Sequence, residues 1–351
     1  MIKDKEITHS VTSDDFKGIV DTGVCTINDK ITVHLTNSEI EKLSWGETVQ
    51  FVESGYVIKL TLHPCLGKEQ VFSILKGATY KSNLISIASD TLEVIKTGNC
   101  NGKDILDDIS NMVDNSSYHP DYSFFSTGDL KFGGTYNLEV MSGTTIEAIL
   151  RLHRKGKDRI CVLNFASAKK PGGGFINGAI AQEESLARSS ALYQSLIQFP
   201  DFYQGNQAPL YTPKMIYSPN VPFFKDDRGS YLPEPVKASV ITCAAPNLTG
   251  LGGDEFAVYV GWQRNDVLKN RLLGTLHEVF VHRIYNILKL AYDKREENLI
   301  LGAWGCGVFK NDPKLVASYF KEVIASEFLG KFESITFAIY DTTGNIIGHF
   351  K

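Results

Sequence analysis

Residues 163–188 read LNFASAKKPGGGFINGAIAQEESLAR, and the fold of the chain follows from this stretch. It begins within an apolar run, residues 159–166, with the length and composition of a strand buried on both faces. That strand delivers the backbone into Pro171-Gly172-Gly173-Gly174. Consecutive glycines adopt φ > 0 at little cost and leave no Cβ between the backbone and a ligand. Amides exposed in such a turn, close to a helix start, suit an anion such as phosphate. A bare triple glycine is equally compatible with a flexible surface loop. The continuation narrows the choice: seven residues lead to Gln182-Glu183-Glu184, at the head of a helix expected over 182–199. Acidic residues are favoured in any first helical turn, so the two glutamates point to chemistry only in company with the glycine turn.

On either side of this stretch, strands and helices alternate. Strands are expected near 136–141, 214–218, 238–244, 298–304 and 334–340, and helices over 265–293 and 312–328. Thr144 and Glu147 form a Thr-x-x-Glu capping box ahead of Ile146, Ile149, Leu150 and His153. Asp312 stands as N-cap before Pro313. Such alternation implies a layered α/β domain with a mixed, largely parallel sheet. Earlier in the chain the pattern differs. Between residues 31 and 96 lie the short Val-, Ile- and Thr-rich runs ITVHLT, VQFVES, YVIKLTL, VFSIL, LISIAS and LEVIK, each expected to be a strand. The 351 residues therefore divide into a β-rich N-terminal domain of unknown role, 1–98, a polar, acidic linker, 99–117, and the α/β domain, 118–351.

Charge excludes several partners. The 36 Lys+Arg against 40 Asp+Glu leave a net charge of -4, and no block of five basic residues occurs. That gives no electrostatic footprint for non-specific nucleic-acid or polybasic membrane binding, and no sequence-specific nucleic-acid partner is expected. No window approaches 18 apolar residues, and the opening MIKDKEITHS lacks an apolar signal core, so a cytoplasmic location is expected. The six cysteines are scattered without a C-x-x-C pair, which suits thiols rather than disulfides or zinc.

The glycine turn, spacer and QEE together resemble the signature of the poly(ADP-ribose) glycohydrolase family, in its microbial-type branch. Three further blocks follow in the family's order: MIYSPNVPFFKDD at 215–227, ITCAAPN at 241–247 and LGAWGCGVFKNDP at 301–313. Residues 1–110 lie outside the resemblance. It implies a macrodomain-like α/β/α sandwich that hydrolyses ribose–ribose O-glycosidic bonds and needs no metal or redox cofactor. It also implies that the substrate is poly(ADP-ribose) or another ADP-ribosylated macromolecule, and the product ADP-ribose. By the same resemblance Glu184 is the acid/base and Glu183 holds the ribose hydroxyls. Gly172, Gly173 and Gly174 border the distal ribose and diphosphate, with Gln182 as a further substrate-binding residue and Ser167 as a ribose contact. Gly305, Cys306, Gly307, Val308 and Phe309 form a second loop that adds diphosphate amides and packs Phe309 near the ribose. The residues that clasp adenine in animal members are not recognisable here, so the adenine contacts stay open. Two other readings stay open: removal of mono-ADP-ribose from protein or nucleic acid, and a reader that binds ADP-ribose without cleaving it.

Helix geometry constrains the mechanism. Neighbouring residues on a helix point about 100° apart, so Glu183 and Glu184 cannot face each other across a glycosidic bond. One carboxyl must act as acid and then base, and the second, one residue away, is expected to raise its pKa. Other motifs carry less. Gly252-Gly253-Asp254-Glu255-Phe256 spells GGDEF, but the upstream metal-binding segment of a nucleotide cyclase is missing. His277 and His282 are spaced i, i+5 and fall on different helix faces. The run YSPNVPFF, 217–224, is expected to be a loop lining the site, and Trp304 to belong to the core.

Overall fold

In a computed structural model, which describes residues 5–22, 24–27, 31–35, 37–44, 47–53, 56–63, 68–120, 137–206, 209–261 and 264–351, the chain divides into two units, Met1–Leu84 and Ile85–Lys351. The first unit contains β1 (Lys5–Val11), α1 (Ser13–Thr22), β2 (Val24–Ile27), β3 (Ile31–His34), α2 (Asn37–Ser44), β4 (Val49–Glu53) and β5 (Tyr56–Leu62). β1 lies parallel to β5, and β4 antiparallel to it, while β2 and β3 pair as a hairpin. Alternation along β5 buries Ile58 and Leu60 against Phe16 and Ile19 of α1.

The strands expected at VFSIL, LISIAS and LEVIK are one helix, α3 (Lys68–Thr97), and the division between the units falls inside it. Short apolar runs carry no decisive period, but placed end to end Leu84, Ala88, Thr91, Val94 and Ile95 recur at helical spacing and are buried. The expected linker is also folded. It holds β6 (Asn99–Cys100), β7 (Lys103–Asp104), α4 (Leu106–Asn115) and β8 (Ser117–His119). Ile109 and Met112 bury one face of α4, while Asp107 and Asp108 favour its N-terminal turn.

The remaining elements are β9 (Leu138–Ser142), α5 (Thr145–Arg154), β10 (Ile160–Phe165), α6 (Gln182–Ser189), α7 (Leu192–Leu196), α8 (Pro200–Tyr203), β11 (Met215–Lys225), β12 (Tyr231–Cys243), α9 (Gly253–Tyr259), α10 (Asp266–Asp293), β13 (Asn298–Leu301), α11 (Pro313–Glu327), β14 (Ser334–Ile339) and α12 (Ile347–Phe350). Seven strands form one sheet in the order β8-β11-β12-β10-β13-β14-β9. β12, β10, β13, β14 and β9 run parallel, and β11 and β8 complete the antiparallel edge. Successive residues of β10 serve opposite faces. Cys161 and Leu163 join Phe280, Ile284 and Phe320 of α10 and α11, whereas Ile160 and Val162 join Met112, Ile149, Leu186 and Leu192 of α4 to α7. The result is the expected three-layered α/β/α sandwich.

Two expectations are corrected near the glycine turn. The helix read over 182–199 breaks at Ser190, whose extended backbone bridges Phe223 while Ala191 donates its N–H to the Pro222 carbonyl. The Ser190 hydroxyl stabilises the break by donating to the Leu186 carbonyl and accepting from the Leu192 N–H. YSPNVPFF is not a loop but the middle of β11, with an irregularity between Ser218 and Val221 that accommodates Pro219, and with Val221, Phe223 and Phe224 in the core. The GGDEF string forms the start of α9. His277 bonds Glu322 and His282 lies against Asn286, so the two histidines have separate partners.

Candidate active site

Loops leaving the carboxyl ends of the parallel strands β12, β10 and β13 lie side by side, the usual place for a ligand in an open α/β sheet. After β10 the chain runs through Ser167 to the glycine turn, where Gly172 and Gly173 have φ of 66° and 60°. Gly173 is required for two reasons. Its conformation is left-handed, and a Cβ there would collide with the Glu184 carboxylate and approach Glu183. Gly174 donates its N–H to Glu184 Oε1 at 2.9 Å. The turn and the first turn of α6 are thus joined through the carboxylate that the family resemblance makes catalytic.

Each residue of Gln182-Glu183-Glu184 has a different environment. Gln182 faces its own protein: Oε1 accepts from the Phe165 N–H at 2.8 Å, and Nε2 donates to the Leu163 carbonyl at 2.8 Å and the Thr145 hydroxyl at 3.2 Å. Its amide therefore extends the edge of β10 and anchors α6, a positioning role. Glu183 is buried. Oε2 accepts from the Ser167 N–H at 2.6 Å, and Oε1 from Asn164 Nδ2 at 3.3 Å. Burial pushes its carboxyl up to about 8, against the lowering effect of the Ser167 hydrogen bond, and the neighbouring Glu184 charge pushes in the same direction as burial. Residues 183 and 184 project from the helix in different directions, and only Glu183 meets the core. Glu184 is half-buried, on the side of the glycine turn.

Ser167 contributes its backbone N–H to Glu183, and its hydroxyl accepts from the Lys169 and Lys170 amides at 3.3 and 3.2 Å, which closes the approach to the glycines. In the second loop, Gly305 has φ of 75°, and a Cβ there would meet Asn311 Nδ2 at 2.5 Å and Ala245 Cβ at 2.6 Å. Cys306 is half-buried, and burial lifts its thiol to about 12, so it is not a nucleophile. Gly307 is exposed, Val308 is 71% exposed, and the Phe309 ring meets Tyr211 edge-on at 5.8 Å. Trp304 is fully buried and donates its indole N–H to the Cys243 carbonyl at 3.1 Å, as a core residue should.

Three residues escaped the sequence reading. Asn164 Oδ1, Tyr203 OH and Asn311 Oδ1 are buried without a hydrogen-bond partner. Asn164 sits beside Glu183, and Asn311 Nδ2 anchors the second loop by donating to the Pro246 and Gly305 carbonyls at 2.8 and 3.0 Å. Orphaned buried polar groups are rare, and each marks a place that a water, an ion or a ligand can complete. Asn164 was legible in principle, as the one polar residue inside CVLNFA. Among the described residues no group of His, Cys, Asp and Glu could hold a metal ion, and no helix is long and apolar enough to cross a membrane.

Residues 88–226 match the microbial-type PARG catalytic domain. The crystal structure of poly(ADP-ribose) glycohydrolase from Thermomonospora curvata is similar to 77% of this chain and is covered over 98% of its own length, at 33% identity and a TM-score of 0.65. The same enzyme bound to the inhibitor ADP-HPD gives 33% identity and a TM-score of 0.63. The Deinococcus radiodurans enzyme in complex with ADP-ribose matches 69% of this chain and 94% of its own, at 36% identity and a TM-score of 0.57. The curated protein sequences give no match. With nearly the whole of the Thermomonospora enzyme aligned at a third of its residues identical, the chain belongs to the microbial-type poly(ADP-ribose) glycohydrolase family.

Proposed function

We propose that this chain is a macrodomain enzyme that reverses ADP-ribosylation by hydrolysing the ribose–ribose O-glycosidic bonds of poly(ADP-ribose), with Glu184 acting first as acid and then as base. One observation carries the reading: the Glu184 carboxylate is held by the Gly174 N–H in the space that the missing Cβ of Gly173 leaves open. A sugar bound over the glycine turn therefore meets this carboxylate and the turn amides together.

Glu184 gives its proton to the leaving ribose oxygen as the bond to the anomeric carbon breaks. The oxocarbenium-like centre is stabilised by its ring oxygen and by the negative diphosphate held on the loop amides. Water then adds to that carbon and returns a proton to Glu184, which restores the enzyme and frees ADP-ribose. Glu183, protonated up to a pH of about 8, steadies the Ser167 amide and offers a neutral carboxyl to the ribose hydroxyls. Gly172, Gly173, Gly174 and the loop Gly305-Cys306-Gly307-Val308-Phe309 border the diphosphate and distal ribose. A cytoplasmic setting suits the buried free thiols of Cys161 and Cys243.

Glu184→Gln tests this. The variant should bind ADP-ribose as the wild type does while turnover of the polymer falls about a thousandfold. Undiminished turnover overturns the assignment. Tight ADP-ribose binding by a wild-type protein that releases nothing identifies a reader. Faster release from mono-modified protein or DNA than from polymer moves the substrate to the mono-ADP-ribosyl class.

A further inference from the structure

Arg283, on α10, is a buried cation at the same end of the sheet as the site loops. It is 3% exposed. Its guanidinium donates to the carbonyls of Ala244 at 3.0 Å, Leu210 at 2.5 Å and Tyr211 at 3.0 Å. All three acceptors are neutral peptide groups, and among the described residues no carboxylate pairs with it. The nearby Cys243 thiol does not balance the charge either, because burial lifts it to about 12 and keeps it neutral. A guanidinium removed from water without a counter-ion is costly, and apolar residues of similar volume would fill the space more cheaply.

The groups that Arg283 holds belong to the walls of the site. Ala244 precedes Ala245, the residue beside Gly305 in the second loop. Tyr211 has a left-handed backbone, φ 55°, meets Phe309 edge-on, and accepts from Asn247 Nδ2 at 2.9 Å through its hydroxyl. Leu248 in turn donates its N–H to the Phe309 carbonyl at 3.0 Å. One cation therefore fixes the end of β12 and the Tyr211 turn, and both touch the second loop.

We propose that Arg283 serves the ligand's diphosphate from a distance through its charge: the buried positive charge is balanced only when the anion binds. The inference rests on the reading that this loop cluster takes ADP-ribose. It differs from that reading in assigning part of the diphosphate affinity to a residue that never touches the ligand.

Calorimetric titration of the full chain with ADP-ribose and with uncharged adenosine tests it, together with polymer turnover. Arg283→Met should weaken ADP-ribose binding and raise KM by about tenfold or more, change kcat less than about threefold, and leave adenosine binding nearly unchanged. Arg283→Lys, which keeps the charge and loses the planar fork, should stay within about threefold of the wild type. Equal losses for adenosine and ADP-ribose, or no loss for ADP-ribose, overturn the inference. If the Met variant does not fold, the Lys variant decides: affinity within that range supports a role for charge, and about a tenfold loss overturns it. A wild type that does not bind ADP-ribose overturns the functional reading as well, whereas a binding wild type with indifferent variants overturns the Arg283 inference alone.

Discussion

Replacing Glu183 by glutamine should make the protein's stability less sensitive to alkali. The carboxyl is 2% exposed and is raised from 4.5 to about 8, chiefly by burial. Below pH 4.5 folded and unfolded chains both hold the proton, so this group adds no pH dependence. Between 4.5 and about 8 the unfolded chain has released it and the folded chain has not, so stability falls as pH rises. Over the full interval the wild type loses about 5 kcal/mol from this group, and above it nothing further. A glutamine side chain has no proton to release, and its amide oxygen can still accept from the Ser167 N–H. Urea denaturation of the two proteins at a series of pH values should therefore show a gap in favour of Glu183→Gln that widens by about 4 kcal/mol from roughly pH 5 to 8. A gap that stays constant over that range would refute the reasoning, because it would mean that Glu183 ionises at the same pH in both states. The protonated carbonyl stretch in an infrared spectrum, lost in the glutamine variant, gives an independent reading of the same proton.

Other perturbations act on neighbouring parts of the site. Gly173→Ala places a Cβ against the Glu184 carboxylate at a left-handed position, so it should cost about 1–3 kcal/mol and reduce turnover about a hundredfold, measured by thermal melting and polymer hydrolysis. Gln182→Ala leaves the Phe165 N–H and the Leu163 carbonyl unpaired, and denaturation should show a loss of about 2–4 kcal/mol. Asp90→Ala strips the counter-charge from Lys225, whose side chain is 1% exposed and lies 2.6 Å from the Asp90 carboxylate. Because the aspartate itself is half-exposed, the loss should be about 2 kcal/mol, and adding Lys225→Met should recover most of it. Recovery of nothing in the double variant would show that the ion pair is not what Asp90 contributes.

Most of the sandwich was legible because its signals are local. The Thr144–Glu147 box forms both of its hydrogen bonds, at 3.1 and 2.9 Å, and Asn265 and Asp312 cap α10 and α11 through their side chains. The glycine turn and the two glutamates were legible as a group for the same reason: φ > 0, an anion-binding turn and a helix start are encoded within one short contiguous segment. What stayed hidden depends on contacts distant in sequence. VFSIL, LISIAS and LEVIK look like strands until α3 buries Val71 in the core of the first unit and Ala88, Val94 and Ile95 in clusters of the second, and α4 looks like a linker until Ile109 and Met112 are buried in turn. The break at Ser190 exists because β11, far along the chain, supplies the Phe223 bridge. The burial of Glu183 and the raised pKa it causes were likewise out of reach, since nothing in QEE says that residue 183 faces Asn164 across α6 and β10.

The helix α3 has a consequence for anyone who would dissect the chain. The unit that carries the site begins at Ile85, inside that helix, and the family match begins at residue 88. The change from strand-like to alternating pattern invites a cut at residue 99. That cut removes Ala88 from beside Phe175 and Ala187, Thr91 from the Arg188 carbonyl at 2.5 Å, and the aspartate that neutralises Lys225. These contacts support α6, the glycine turn and β11. An inactive fragment starting at 99 would report the loss of a buttress, whereas one starting at 85 asks what the first unit does for catalysis.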